Sequence, residues 1–347
     1  MLVFVDLVQD IDVLLPVMLA LRDDGACALK IRVSRWLAQE SPRTAALLGR
    51  SGLPFGYVRR LDVISGAAPS LRGVRAVLAA SESSHPAHAA AHALARRAKA
   101  AGLKTYALQH GLENVGLFGR EAEAALFASD TVFCWLPQSA LPDRLPASTR
   151  GKLAHVGRPE PPGGWRRGGE PAFDVGVFEN LHWDRYGDAD RRGFREGLAA
   201  MAEALPRARI LLRAHPAGGW ADQLGHELAR FGNITPARAL QARHGPEGAA
   251  EIMQGIRRVI TTPSTIALDA ALAGRPTALA APGGAVYEPL PVLASPRHWI
   301  AFATAESFDP RTLDQFRSRV LVAGDGAPRI VERVSRDLAN ESPITHG

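Results

Sequence analysis

The sequence is poor in cysteine and in aromatic residues, and it has no long uncharged apolar stretch. Its two cysteines, Cys27 and Cys134, are too few for a disulfide-stapled secreted scaffold and fit free thiols in a reducing compartment. No apolar run reaches the length of a membrane span. The chain opens directly on an apolar, strand-like run at Leu2–Val5, without a basic leader. These features predict a cytoplasmic protein, with peripheral contact at the inner membrane left open.

The charge is basic but dispersed. Lysine and arginine number 41 against 35 acidic residues, a formal net charge of +6. The arginines occur in scattered pairs such as Arg59-Arg60, and aromatic residues make up only 6% of the chain. A nucleic-acid surface needs clustered basic residues interleaved with aromatic ones. We therefore predict no nucleic-acid partner, and an anionic small ligand or membrane face agrees better with this charge.

Short β-rich runs alternate with longer runs rich in Ala, Leu and Arg, a pattern typical of βαβ units with parallel sheets. A proline- and glycine-rich segment, 158–171, interrupts this alternation and has no periodicity. We predict an α/β protein of two Rossmann-like domains, 1–157 and 172–325, joined by this linker and followed by a C-terminal helix and tail, 326–347. Two such halves predict a cleft at the carboxyl ends of both sheets.

The strongest local signal is the segment 261–276, TTPSTIALDAALAGRP. A β-rich strand ends there, and an amphipathic helix starts near Ser264 and Thr265. A helix N-terminus lined with hydroxyl groups offers N–H donors and a positive dipole end, which suit a phosphate. The alternative is that Thr262 or Ser264 only caps the helix. Asp269, five residues further on, is either a ligand for ribose hydroxyls or a solvated helix carboxylate.

A second signal strengthens the first. His215 and Pro216 end another predicted strand, 209–213, so the imidazole is expected on the same sheet rim as the hydroxylated helix start. The proline fixes the turn that aims the ring. The alternative is that His215 is a surface histidine in a loop. Arg213 points to the same side of the strand as His215. It either adds positive charge to the site or pairs with a structural carboxylate. Asn180 ends the first strand of this half and is a weaker candidate, since an asparagine there often only forms an Asx-turn.

The first half offers three candidate bases. His110 and Glu113 follow a predicted strand, and Asp10 lies in the loop after the first strand. Each can deprotonate an acceptor hydroxyl, and each can equally be a capping or hydrogen-bonded turn residue.

We predict neither a metal nor a bound cofactor. His88 and His92 share a helix face, but the sequence has no glutamate in an HExxH arrangement and no obvious third ligand. Asp10 and Asp12 have Asp-x-Asp spacing, yet they lie in the first half, away from the predicted nucleotide site.

Taken in order, four segments resemble those of bacterial surface-polysaccharide transferases of the GT-B fold. The segments are Gln109-His110-Gly111, Gly157-Arg158-Pro159, Arg213-Ala214-His215-Pro216, and Pro263-Ser264-Thr265 with the helix to Pro276. The nearest groups are the CDP-glycerol glycerophosphotransferase-like proteins and the sialyl- and Kdo-type transferases. The resemblance implies that His215, Ser264 and Thr265 hold the phosphate of the donor and that the base comes from the first domain.

The function implied by this resemblance is a metal-independent glycosyltransferase in capsule or lipopolysaccharide synthesis. Its donor would be a nucleotide-activated sugar, with a cytidine nucleotide such as a CMP-Kdo-like donor favoured, and its acceptor a glycan or lipid-linked glycan. Gln109 replaces the tryptophan of the family's Trp-His-Gly motif, so transfer from CDP-glycerol is an alternative. A nucleotide-sugar 2-epimerase, whose His-x-Glu-Ala-Gly type segment is missing, and a non-catalytic GT-B-like binding protein are the others.

Overall fold

The computed structural model describes residues 1–25, 27–118, 126–165, 170–215, 218, 220–238 and 248–340. The chain divides into two compact units. The first comprises Met1–Gly164 together with the chain from Val320 onwards, and the second comprises Trp165–Arg319. Each is an α/β unit built on a parallel sheet, as the alternation of β-rich and helical runs predicts.

The sheet of the first unit has seven described strands, all parallel, in the spatial order β3-β2-β1-β4-β5-β6-β7. Every residue of β1 and β4 is buried, as expected when helices cover both faces of a parallel sheet. The strands are β1 (Leu2–Val5), β2 (Lys30–Ser34), β3 (Phe55–Val58), β4 (Ala76–Ala79), β5 (Lys104–Leu108), β6 (Thr131–Cys134) and β7 (Leu153–His155).

The helices of the first unit include one from the far end of the chain. The described helices are α1 (Asp10–Asp24), α2 (Arg35–Glu40), α3 (Pro42–Arg50), α4 (Arg60–Ile64), α5 (Ala89–Ala100), α6 (Ala147–Arg150) and the C-terminal α14 (Gly326–Ala339). Two hydrogen bonds attach helix α14 to the rest of the first unit. The hydroxyl of Ser335 donates to Asp24 at 3.1 Å, and the hydroxyl of Tyr106 donates to Asp337 at 3.0 Å. The last helix therefore belongs to the first unit.

The sheet of the second unit has five described parallel strands in the order β10-β9-β8-β11-β12. They are β8 (Phe173–Glu179), β9 (Ile210–Ala214), β10 (Ile234–Pro236), β11 (Ile256–Thr261) and β12 (Thr277–Leu279). The described helices are α7 (Asp188–Ala204), α8 (Trp220–Gln223), α9 (Gly225–Leu228), α10 (Ala249–Gln254), α11 (Thr265–Leu272), α12 (Pro296–Thr304) and α13 (Pro310–Val320). Strand β8 thus lies between the two strands that precede the predicted phosphate site.

Helices α7 and α12 approach closely because one contact position has no side chain. A Cβ added to Gly197 would lie 2.5 Å from ring atoms of Trp299. That indole is buried and packs edge-on against Phe194, with ring centroids 5.4 Å apart. The glycine therefore makes room for the largest aromatic ring in the core of the second unit.

Candidate functional site

The strand register of the second unit brings the predicted donor-side residues to one edge of the sheet. Phe178 in β8 is level with Arg213 in β9 on one side and with Thr261 in β11 on the other. All three strands run in the same direction, so the residues that follow them leave the sheet together. Neighbouring strands are about 4.8 Å apart, which puts β9 and β11 about 10 Å apart with the end of β8 between them.

Two histidines form a contact pair at this edge. His215 follows β9 and His182 follows β8, and their ring centroids are 4.8 Å apart. Neither ring nitrogen of His182 has a hydrogen-bond partner in the described structure, although both are buried. The loop after β9 passes so close that a Cβ on Gly218 would lie 2.1 Å from the His182 ring. Only a glycine fits between the two strand ends at this point.

Both imidazoles of the pair are neutral at pH 7. Burial first, and then His182 and Arg213, lower the pKa of His215 to about 4. Burial and the nearby Arg185 also lower the pKa of His182. A neutral imidazole presents one N–H donor and one acceptor nitrogen, so the pair can donate hydrogen bonds to an anion without carrying charge of its own.

The loop between β11 and α11 is fixed by donors from the end of β8. The Pro263 carbonyl accepts hydrogen bonds from Asn180 Nδ2 at 2.9 Å and Arg185 Nη2 at 2.7 Å. Asn180 also accepts from the hydroxyl of Thr262 at 2.6 Å, while its backbone N–H donates to that hydroxyl. The amide of Asn180 is therefore engaged inside the protein and positions the loop before α11, while its predicted contact with the donor stays a prediction.

Ser264 stands at the N-cap position of α11, but its side chain does not cap the helix. Its hydroxyl lies 3.1 Å from that of Thr261. The alternative prediction, that Ser264 only caps the helix, is therefore wrong, because its side chain makes no capping hydrogen bond. The hydroxyl is left beside the positive end of an eight-residue helix, where an anion is stabilised by the dipole and by backbone N–H groups.

The remaining donor-side predictions have mixed outcomes. Thr265 is the first residue of α11 and is half-buried. Arg213 lies in β9 and is close enough to His215 to lower its pKa. Asp269 is buried, which rules out the solvated helix carboxylate that was its alternative. Pro216 lies outside the described residues.

In the first unit, the corner after β5 is held by the side chain of Gln109. Its amide donates to the Gly111 carbonyl at 2.8 Å and accepts the N–H of Trp135 at 2.8 Å. The backbone N–H of His110 donates to Asn114 at 3.1 Å. These bonds fix the Gln-His-Gly turn, so the position of the imidazole is set by the fold.

The ring of His110 packs against a second buried histidine. The centroids of His110 and His88 are 5.3 Å apart, and His88 Nδ1 lies 2.7 Å from the hydroxyl of Ser83. Burial lowers the pKa of His110 to about 4, and burial together with His110 and His85 lowers that of His88 to about 3. His110 Nδ1 is buried and has no described partner. This neutral nitrogen can accept a proton.

Asp10, the rival base, is locked by protein groups. One carboxylate oxygen accepts the backbone N–H groups of Asp6 and Leu7, and the other is bonded to the hydroxyl of Ser81. Burial raises the pKa of Asp10 to about 6. Through these hydrogen bonds, the buried side chain of Asp10 connects the loop after β1 with the segment that follows β4. Glu113 is half-buried on the turn after His110.

Residues 81–84, Ser-Glu-Ser-Ser, follow β4 at the same edge of the first sheet. Their role was not predicted from the sequence. Glu82 accepts backbone N–H groups of Ala128 and Ser129, each at 3.0 Å, and pairs with His92 at 2.6 Å. Ser83 supports His88. The signal was available in the sequence, because polar residues come directly after a fully apolar strand. His92 is thereby placed beside the carboxylate of Glu82, its hydrogen-bond partner.

No group of three or more His, Cys, Asp and Glu side chains among the described residues is placed to hold a metal ion. No helix in the same residues is both long and apolar enough to cross a membrane.

Comparison with models of protein families gave no match, and comparison with curated proteins gave none. Solved structures do match along the whole chain. S. aureus MnaA, solved with UDP, has a TM-score of 0.68 and 13% identity and covers 100% of this chain and 99% of its own. The UDP-GlcNAc 2-epimerase of Neisseria meningitidis bound to UDP-GlcNAc has a TM-score of 0.66 and 11% identity, with 98% and 99% covered.

A glycosyltransferase also matches. The spinosyn rhamnosyltransferase SpnG, complexed with thymidine diphosphate, has a TM-score of 0.55 and 13% identity and covers 98% of this chain and 100% of its own. At these identities the likeness shows the fold alone. The predicted fold class is confirmed: the chain has the GT-B fold, with two α/β units on parallel sheets.

Proposed function

We propose that this protein is a nucleotide-sugar enzyme that breaks the bond between the anomeric carbon and the phosphate of its substrate. The observation that carries the proposal is the edge of the second sheet, where strands β8, β9 and β11 end together. His182 and His215 are in contact there, and Ser264, whose side chain does not cap its helix, lies at the N-terminal end of α11. Hydrogen-bond donors and a helix dipole at one place suit the oxygens of a phosphate group. They would also stabilise the charge that develops there when the phosphate leaves.

Two chemistries are compatible with this first step. In glycosyl transfer, an acceptor hydroxyl attacks the anomeric carbon, the carbon–phosphate-oxygen bond breaks, and the phosphate leaves with the electron pair. The hydroxyl proton must pass to a base. His110 supports this reading, because its neutral Nδ1 has no described protein partner and its turn is fixed by Gln109. Glu113 is the remaining candidate, whereas the engaged carboxylate of Asp10 is better suited to a structural role.

The second chemistry is 2-epimerisation of the nucleotide sugar. It balances when the proton on C2 is removed as the bond between the anomeric carbon and the phosphate oxygen breaks, and a proton returns to the opposite face of C2 as that bond forms again. Its support is that UDP-GlcNAc 2-epimerases of Neisseria meningitidis and Methanocaldococcus jannaschii align with 98% and 96% of this chain. Its weakness is the missing His-x-Glu-Ala-Gly type segment in the first unit. An epimerase would turn over the nucleotide sugar alone, whereas a transferase needs an acceptor. This difference allows the two to be separated by experiment.

The comparisons give the cytidine preference no support. The nucleotides named in the matching structures are UDP and thymidine diphosphate. A uridine or thymidine diphosphate therefore replaces cytidine as the first choice for the base, while CMP-linked and CDP-linked donors stay in the test panel. The acceptor in the transferase reading is a glycan or a lipid-linked glycan.

The test begins with binding. Titration calorimetry with UDP, TDP, CDP and CMP should identify one nucleotide that binds the wild-type chain. His215→Ala should weaken that binding about tenfold to a hundredfold, because a hydrogen bond to a charged phosphate is lost. The exposed His298 provides the control, and His298→Ala should bind as the wild type does. Equal affinity in His215→Ala would remove the phosphate site from the proposal.

Turnover then separates the two chemistries. Proton NMR of UDP-GlcNAc with the protein alone would reveal a 2-epimer, whereas nucleotide release that depends on an added glycan acceptor indicates transfer. His110→Ala should keep nucleotide affinity but slow turnover about a hundredfold or more, as expected for loss of a base. Unchanged turnover in that variant would shift the base to Glu113. Nucleotide binding without any turnover would favour the non-catalytic alternative.

A further inference from the structure

The strongest feature outside the candidate site is an exposed apolar patch beside β2 and β3. Leu61 and Ile64 in α4 are 76% and 47% exposed, and Trp36 in α2 is 37% exposed. Arg35, Arg59 and Arg60 lie beside them in sequence. We call these six residues the α2–α4 patch. Large aliphatic side chains with this exposure, next to arginines, are typical of a surface that contacts another phase or molecule.

The fold holds the patch in place. The last residues of β2 and β3, Ser34 and Val58, pair with each other, so α2 and α4 start side by side. The Ser34 hydroxyl accepts the N–H of Leu37 at 3.1 Å and caps α2. Val63 is buried in the core of the first unit, and it fixes the direction that α4 faces. The apolar side chains are thus exposed by a fixed backbone.

Arg60 links the two helices. Its guanidinium lies 3.7 Å above the ring of Trp36 and its Nε is 2.7 Å from the carboxylate of Asp6. Leu61 follows directly, and Ile64 is three residues later on the same helix. Residues three apart share a helix face, so both aliphatic chains project on one side of α4.

The charge of the segment around the α2–α4 patch indicates what the patch binds. Between residues 30 and 75 the chain carries nine lysines and arginines and two acidic residues, whereas the net charge of the whole chain is +6. Basic residues are dispersed along the whole chain, but outside this segment acidic residues balance them, so the excess of basic residues lies in the segment that carries the patch. Arg35 and Arg59 are exposed. An apolar group flanked by arginines fits acyl chains below a layer of anionic phosphates, with tryptophan at the boundary.

We propose that the α2–α4 patch binds the surface of an anionic lipid bilayer. Leu61 and Ile64 insert between the lipids while Arg35 and Arg59 bind headgroup phosphates. The proposal does not depend on which reaction the protein catalyses. It extends the proposed function, because a protein held at a bilayer by its first unit would meet a lipid-linked acceptor there.

The test uses the full chain and vesicles. The wild-type protein should sediment with vesicles of phosphatidylcholine and phosphatidylglycerol and not with phosphatidylcholine alone, and added salt should weaken the binding. The double variant Leu61→Asp/Ile64→Asp should lose binding at least tenfold. Val292 is 40% exposed in the second unit, so Val292→Asp is the matched control and should bind normally.

A second double variant tests the charges. Arg35→Gln/Arg59→Gln should weaken vesicle binding about twentyfold, since each basic residue near the surface contributes about fivefold. Calorimetry with UDP on the same variants separates this proposal from the proposed function, because nucleotide affinity should be unchanged. Absence of vesicle binding by the wild type, or equal binding by Leu61→Asp/Ile64→Asp, would overturn the proposal. So would binding to an acidic protein or to DNA in place of vesicles.

Discussion

Replacing Asp10 by asparagine tests how the first unit holds a buried acid. The carboxylate accepts two backbone N–H groups, from Asp6 and Leu7, and is bonded to the hydroxyl of Ser81. Burial outweighs these bonds and raises the pKa of Asp10 to about 6. Asparagine has nearly the same shape, keeps an oxygen for the two N–H groups and stays neutral at every pH. It therefore imitates the protonated acid.

The sign and size of the stability change in Asp10→Asn follow from the linkage between proton binding and folding. An aspartate in the unfolded chain has a pKa of about 3.9, so the folded state binds the proton more tightly. The stability that this proton brings is fully present below about pH 4 and is lost as the pH rises to about 6. A shift of about two pKa units corresponds to roughly 2 to 3 kcal/mol. We expect Asp10→Asn to equal the wild type near pH 4 and to exceed it by about that amount at neutral pH.

The comparison must be a difference between variants, because four histidines act in the opposite sense. Burial lowers the pKa values of His88, His110, His182 and His215, so their contributions to stability are lost as the pH falls. Urea unfolding of both chains between about pH 4 and pH 8, followed by circular dichroism, cancels this shared term. The exposed Asp143 gives the control, and Asp143→Asn should produce a flat difference. A flat or falling difference for Asp10→Asn would refute the reasoning.

Two further predictions concern the second unit. Gly197→Ala should destabilise it by about 1 to 3 kcal/mol in urea unfolding, because the new Cβ would meet Trp299, which is overpacking. Gly193→Ala in the same helix has open space around its Cβ and should be neutral or stabilising; equal losses in both variants would contradict the packing argument. Nucleotide binding should take up protons, since an anion raises the pKa of His215 from about 4. Calorimetry in two buffers of different ionisation enthalpy measures this uptake, which His215→Ala should reduce; identical uptake in that variant would contradict the assignment.

The sequence predicts the strands of this fold better than its short helices. Apolar β-rich runs such as Leu2–Val5 and Thr131–Cys134 are buried on both faces and have no other plausible structure. Helices α2 to α4 are short, and their stability comes from contacts with the sheet rather than from a repeating apolar stripe. The chain from Trp220 to Leu228 likewise forms two helices of four residues each, α8 and α9, rather than one longer helix.

The candidate site was predictable in its location and not in its internal contacts. Parallel strands end at one edge, so the sequence order of strand, turn and helix was enough to predict His215 and Ser264 on one rim. The contact between His182 and His215 requires β8 to lie beside β9. The hydrogen bond from Asn180 to the Pro263 carbonyl requires β8 to lie beside β11. That strand order is set by tertiary packing, which no local pattern encodes.

The two units hold their key imidazoles neutral by the same physical means. Burial is the largest effect on His110 in the first unit and on His215 in the second, and it lowers the pKa of each to about 4. In the proposed function, an anion bound beside His215 raises the pKa of its imidazole, whereas the neutral imidazole of His110 accepts the proton of a hydroxyl. Burial, rather than ion pairing, is what keeps each imidazole neutral before a ligand binds.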